Sequence, residues 1–168
     1  MEAVVCGIDP GLGTTGYAVL SADSGQLSII DAGVFRLDAR RSLEERLVDI
    51  DRDLSAVLNE HHPSVVAVEA LYAHYRHPRT AILMGHARGV ILLAAARLGL
   101  EVESYSATRI KRFLTGNGQA TKEQMQRTIQ ATMGLPQLPE PSDVADALAI
   151  AMCCIADRFR MKPVEVSA

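Results

Sequence analysis

The sequence predicts an α/β fold: a five-stranded mixed sheet, an antiparallel meander of strands 1–3 plus parallel strands, flanked by helices. Three observations predict it. Five short apolar runs alternate with turns or with segments of helical period. The first three runs are joined by short glycine-containing connections, as in a meander. The last two are each reached through a long helical segment, the connection that parallel strands require. A length of 168 residues with 48% hydrophobic content suits one packed domain over 1–168.

The elements follow in order. Ala3–Asp9 is a continuous apolar run ending in an acid, which reads as a strand buried on both faces. The glycines from Gly7 to Gly16 force a tight reversal into a second strand, Gly16–Ser21. Asp23-Ser24-Gly25 marks a hairpin turn into a third strand, Gln26–Leu37. Ser42 and Glu45 have capping-box spacing, and Leu43, Leu47, Ile50, Leu54, Val57 and Leu58 repeat at helical period to about Glu60. Pro63 stops that helix, and Ser64–Glu69 is a fourth strand, again ending in an acid. Pro78 opens a long helix to about Leu98, closed by Gly99. Glu101–Ser106 is the fifth strand. A short helix over Thr108–Leu114 follows, then one capped by Thr121 and Gln124 that runs to Met133. A proline linker leads to a last helix over Asp143–Met161, with Ser142 as its expected N-cap.

Composition narrows the function. Three cysteines, two of them adjacent at Cys153 and Cys154, suit reduced thiols rather than a disulfide framework. Met1 leads directly into a strand-like run with no basic flank or cleavage site, so a cytoplasmic location is expected. With no Trp and 4% aromatic residues, carbohydrate platforms and multi-base stacking surfaces are not expected. The net charge of −3 hides an asymmetry: residues 70–130 carry +6 and the rest −9. A local basic segment of that kind can bind a polyanion despite the acidic mean. Charge alone fits solvated helix faces equally well.

The acids sit where metal chemistry would put them. Asp9 and Glu69 each close an apolar strand, at the carboxyl edge of the sheet where α/β folds bind ligands. Asp143 and Asp146, three apart in the first turn of the last helix, share one face. Ala147, Leu148, Ala151 and Ile155 supply that helix with a packing surface, which would bring the two acids to the sheet edge. Four carboxylates converging there would repel unless divalent cations neutralised them. Hard oxygen donors favour Mg²⁺, two per site, with Mn²⁺ as a substitute, over zinc. Two such ions can drive in-line phosphodiester hydrolysis. Singly, these acids read as a turn former, a strand-end surface acid and a helix-dipole partner. Jointly they point to metal.

The same residues carry a resemblance. Gly-Ile-Asp9-Pro-Gly, Ala-Val-Glu69, Gly-His-Ala-Arg-Gly89 and Ser-Asp143-Val-Ala-Asp146-Ala-Leu-Ala-Ile resemble the RuvC family of Holliday-junction resolvases, in order and over nearly the whole chain. The resemblance implies a ribonuclease H-like fold and a dimeric, Mg²⁺-dependent endonuclease that nicks four-way DNA junctions symmetrically in recombination and repair. It carries the family's four catalytic acids onto Asp9, Glu69, Asp143 and Asp146, its loop aromatic onto Tyr72, and its basic DNA-contacting positions onto Lys111 and Lys122. It further implies the RuvAB branch-migration complex as a partner.

The basic segment, read by itself, agrees. Lys111 and Lys122 are two of three lysines, against fourteen arginines. Lys122 lies beside a helix N-cap whose free N–H groups also favour phosphate. Arg76 and Arg79 follow the Glu69 strand closely enough to reach a bound DNA backbone, and Tyr72 could stack on an unpaired base. His74 and His77, with no third ligand near in sequence, do not make a zinc site.

The 78–98 helix is apolar almost all round, so burial on two sides is expected: against the sheet, and against a second copy in a homodimer. Gly85 and Gly89 would permit close helix approach. Its polar interruptions and flanking charges argue against a membrane. Two rival functions remain open from sequence. Asp9-Pro-Gly-Leu-Gly-Thr-Thr-Gly16 resembles the phosphate loop of actin-like and sugar-kinase-like ATP-binding lobes, and resolvase-like nucleases of RNA processing share the expected fold.

Overall fold

A computed structural model describes residues 3–71 and 78–159. The strands are β1 (Ala3–Asp9), β2 (Thr14–Asp23), β3 (Gln26–Arg36), β4 (Val65–Glu69) and β5 (Glu101–Tyr105). The helices are α1 (Leu43–His61), α2 (Pro78–Arg97), α3 (Ala107–Thr115), α4 (Lys122–Met133) and α5 (Ser142–Phe159). The sheet order is β3-β2-β1-β4-β5, with β1–β2 and β2–β3 antiparallel and β1–β4 and β4–β5 parallel. The expected mixed sheet is therefore present, with the meander on one side and the parallel strands on the other.

Burial explains why the strands read as they do. Val5 of β1 packs with the α5 side of the sheet, whereas Cys6 and Ile8 pack with the α1–α2 side. Both faces of β1 are covered, so its apolar run is continuous rather than alternating. Edge strand β3 alternates exposed and partly buried positions over Gln26–Asp31. β2 is longer than expected because its ladder with β3 runs from Thr14↔Arg36 to Asp23↔Gln26, through an irregularity at Val19/Leu20. Ser24 and Gly25 turn that hairpin with φ of 50° and 87°, a left-handed pair that glycine eases.

The capping signals hold at α1 and α4, where Ser42 with Glu45 and Thr121 with Gln124 form complete capping boxes. At α5 the expectation is corrected. Ser142 is itself the first helical residue, and the Val144 N–H donates to the Pro141 carbonyl at 3.0 Å. The expected end of that helix at Met161 lies outside the described residues.

Helix α5 lies directly on the sheet because two glycines let it. A Cβ on Gly7 would come within 2.8 Å of the Ala151 side chain and 2.7 Å of its backbone nitrogen. A Cβ on Gly16 would stand 3.1 Å from the Asp143 Cβ and closer still to the Asp143 carbonyl. Ala147 and Ala151 complete the close approach, both fully buried. α3 and α4 cover the outer side of α5, so its residues from Val144 to Ile155 are buried except Asp146. That packing fixes where the first turn of α5 meets the sheet.

Helix α2 has two unlike faces. Ala87, Ile91, Ala94 and Ala95 are buried, whereas Ile82, Leu92 and Leu93 are 64%, 37% and 48% exposed. By length and composition alone Arg79–Arg97 is apolar enough to cross a membrane, with a mean hydropathy of 1.2. Here one face is packed in the core and the opposite face is bare.

Candidate active site

The carboxyl ends of β1 and β4 are neighbours in the parallel part of the sheet, so Asp9 and Glu69 stand side by side at its edge. Asp9 pairs across the β1–β2 ladder with Gly16, and the Asp143 backbone rests on Gly16. The close seat of α5 thus delivers Asp143 opposite Asp9, and Asp146 follows one turn later. All four acids are partly buried.

Burial and mutual repulsion together disfavour charge on these acids. Burial first, then Asp146, Glu69 and Asp143, push the Asp9 carboxyl up to about 8. Burial and Asp146 raise Glu69, with Lys111 and Lys122 acting against them. Burial also raises Asp146, again opposed by Lys122 and Lys111. Stacked carboxylates taken out of water disfavour charge. Cations answer it here: Lys122 Nζ lies 3.6 Å from Asp146 Oδ2, and Lys111 shares with Glu69, Met125 and Asp146 the lining of a narrow crevice. Among the described residues no three His, Cys, Asp or Glu side chains are already drawn together around one point. The donor set nonetheless fits a hard divalent cation: all-oxygen, at one edge, with a surplus of negative charge.

Both expected lysines therefore reach the site. Tyr72 and Arg76, with His74 and His77, lie outside the described residues. Arg79 is exposed on the first turn of α2.

The sequence reading missed the residues that hold the edge in place. The loop after Asp9 is tied at three points. Thr15, 1% exposed, donates from Oγ1 to the Gly11 carbonyl at 2.6 Å and accepts from the Gly11 N–H at 3.2 Å. Arg46 of α1 donates through Nε to the Leu12 carbonyl at 3.0 Å. The Leu37 N–H donates to the Gly13 carbonyl at 3.0 Å. This loop spends the Gly11 amide internally, the opposite of a phosphate cradle, in which such amides face the ligand. At the other strand end, Arg88 of α2 donates to the Glu69 carbonyl at 2.8 Å and to Ser104 Oγ at 2.7 Å. Ser/Thr-to-glycine and long-range arginine bonds have no periodic signature, so pattern reading passes over them.

A mixed five-stranded sheet with a helix laid across β1 and β2, and acids at the carboxyl ends of β1 and β4, is the architecture of the ribonuclease H-like class. Comparison with known proteins goes further. The profile of the family described as "Crossover junction endodeoxyribonuclease RuvC" matches residues 5–154. A protein of that name from Rhodopirellula baltica is 51% identical over 149 residues, 89% of this chain and 84% of that one. Its namesake in Heliobacterium modesticaldum is 43% identical, over 90% and 93% of the two chains. Among solved structures, Thermus thermophilus RuvC in complex with Holliday junction substrate superposes with a TM-score of 0.86 at 33% identity, covering 96% of this chain and 99% of that one. The chain belongs to the RuvC family, whose members are metal-dependent endonucleases that hydrolyse DNA.

Proposed function

We propose that this chain, as a single nuclease domain, resolves four-way DNA junctions by Mg²⁺-dependent phosphodiester hydrolysis at Asp9, Glu69, Asp143 and Asp146. The observation that carries the reading is the gathering of those partly buried acids at one sheet edge, where burial and then the neighbouring carboxylates push the Asp9 carboxyl well above the ordinary carboxylate range. A pair of Mg²⁺ ions, or Mn²⁺ in their place, would supply an activated water and charge stabilisation at the leaving oxygen. Asp9 and Glu69 would hold such ions from the strand side and Asp143 and Asp146 from the helix side. Lys122 and Lys111, both cationic and beside the acids, would draw the DNA backbone over the edge. Tyr72 and Arg76 are proposed as further DNA contacts on the basis of family resemblance and sequence position.

A homodimer through α2 completes the reading. A junction must be nicked on two strands related by twofold symmetry, and isologous contact of one helix face places two equal sites accordingly. The bare stripe of α2 has the required form: Ile82 and Leu93 flank Gly85 and Gly89, each with open space beyond the Cα. The Arg97–Asp51 ion pair at 3.2 Å sets α1 alongside, and Val48, one turn before Asp51, is 63% exposed and extends the apolar surface. Ile91 is fully buried within the chain. It is therefore excluded from the seam. The RuvAB complex as partner and a cytoplasmic location are proposed from family membership.

The experiment is a substitution series. Asp9→Asn, Glu69→Gln, Asp143→Asn and Asp146→Asn should each abolish junction cleavage in Mg²⁺ while leaving junction affinity within a few-fold of wild type. Near-wild-type cleavage by most of them would overturn the assignment. Binding of ATP with loss of junction cleavage, or faster cutting of structured RNA than of DNA junctions, would favour the two rival readings.

A further inference from the structure

The Arg88 guanidinium joins three elements. It projects from α2, donates to the main-chain carbonyl of Glu69 at the end of β4, and donates to Ser104 Oγ on β5. The same corner is closed by the Ala70 N–H donating to the Tyr105 carbonyl at 2.8 Å, and by the Glu69↔Tyr105 register. The β4 ladder ends at Glu69, and Arg88 adds a side-chain donor to its carbonyl. It is partly buried, and among the described residues no acid pairs with it: the acceptors are a carbonyl and a hydroxyl. A partly buried guanidinium held on two neutral acceptors gives up some hydration without an opposite charge in return. On α2 it follows Ala87, packed in the core, and precedes Gly89 on the bare stripe.

We propose that Arg88 is a positioning residue: it pins the carboxyl ends of β4 and β5 to α2 and thereby sets the direction in which Glu69 presents its carboxylate to a metal ion. The inference rests on Glu69 being a metal ligand. Arg88 touches neither substrate nor metal; it acts through the peptide unit that carries the ligand. Because Gly89 lies on the proposed dimer seam, the same bond links the seam to the site, so the two sites of a dimer are each braced by the helix that joins them.

The test measures Mn²⁺ binding, by electron paramagnetic resonance of free ion, on the full chain without DNA. Arg88→Lys retains the charge and one donor but loses the fork that spans Glu69 and Ser104. It should weaken Mn²⁺ about tenfold, the usual cost of losing a group that orients a metal ligand. Ser104→Ala removes only the outer anchor and should weaken it about threefold. Thermal melting without metal and the sedimentation coefficient should stay at wild-type values in Ser104→Ala, which separates positioning from collapse of the fold. Glu69→Gln is the control for the underlying reading and should weaken Mn²⁺ by more than either. If Glu69→Gln weakens binding and both Arg88→Lys and Ser104→Ala stay within twofold of wild type, the positioning role is wrong. If Glu69→Gln itself binds Mn²⁺ as wild type does, the ligand assignment falls and the inference falls with it.

Discussion

Replacing Asp9 with Asn should make the metal-free protein more stable while removing its chemistry. The carboxyl, ordinarily near 3.8, is pushed up to about 8 by burial and by Asp146, Glu69 and Asp143. A folded-state value above the unfolded one means that the native state holds the proton more tightly. The stability is therefore fully present below about pH 4 and is lost progressively as pH rises toward 8. About four pH units at about 1.4 kcal/mol each set a ceiling of about 6 kcal/mol. The neighbours' share shrinks as they take up protons or counterions, so about half of that, roughly 3 kcal/mol, is the expected gain of Asp9→Asn at pH 8. For a chain of this size each kcal/mol moves Tm by about 2–4 °C. The variant should therefore melt roughly 6–12 °C above wild type in EDTA at pH 8, by calorimetry or circular dichroism. At pH 5 the gap should mostly close, because wild-type Asp9 is then protonated. Added Mg²⁺ should raise the wild type by mass action and leave the variant nearly unmoved. Equal or lower Tm for Asp9→Asn at pH 8 without metal, or a gap as large at pH 5, would refute the crowded-carboxylate account.

Other outcomes follow from the same geometry. Gly16→Ala drives a Cβ into the Asp143 backbone, costing about 1–3 kcal/mol of stability. Junction cleavage should fall about a hundredfold, as for a misplaced reacting group, with junction affinity retained; unchanged cleavage would show that α5 need not sit so close. Lys111→Ala and Lys122→Ala should each weaken junction binding and reduce the log–log salt slope by about 0.9, measured by fluorescence anisotropy across a salt series. Unchanged slopes in both would move the DNA face elsewhere. Leu93→Glu places a charge on the bare stripe of α2 and should weaken dimerisation by about thirtyfold or more, read by sedimentation, while Val48→Glu should do so less. A wild-type chain that is monomeric at micromolar concentration would remove the seam.

The strands and their order of appearance were legible because β1 and β4 are buried on both faces and so read as unbroken apolar runs, while the Ser42 and Thr121 boxes announce their helices. The acids were legible for a related reason: an ionisable residue that ends a buried strand stands out against its run. What stayed hidden is what depends on contact between distant segments. α2 reads as apolar all round, but which side is covered depends on Ala87, Ile91, Ala94 and Ala95 meeting the sheet, and only the fold shows that Ile91 turns inward. The extension of β2 to Thr14 required its ladder with β3, since a glycine-rich run reads locally as a turn. Arg46 and Arg88 read as solvated charges, yet each holds a carbonyl at a strand end or its loop, across 34 and 19 residues of sequence respectively.

The central claim is that two such carboxylate sites cut two strands of one junction. The direct measurement is cleavage of a supercoiled plasmid bearing an extruded cruciform, with Mg²⁺ added and withheld. Paired incision within one bound complex converts the supercoiled circle to linear DNA whose nicks are symmetrically placed and ligatable, and the account predicts that product in Mg²⁺, its absence in EDTA, and no cutting of a linear duplex of the same sequence. Accumulation of nicked circles without linear product, cutting that persists in EDTA, or equal cutting of the linear duplex would contradict it.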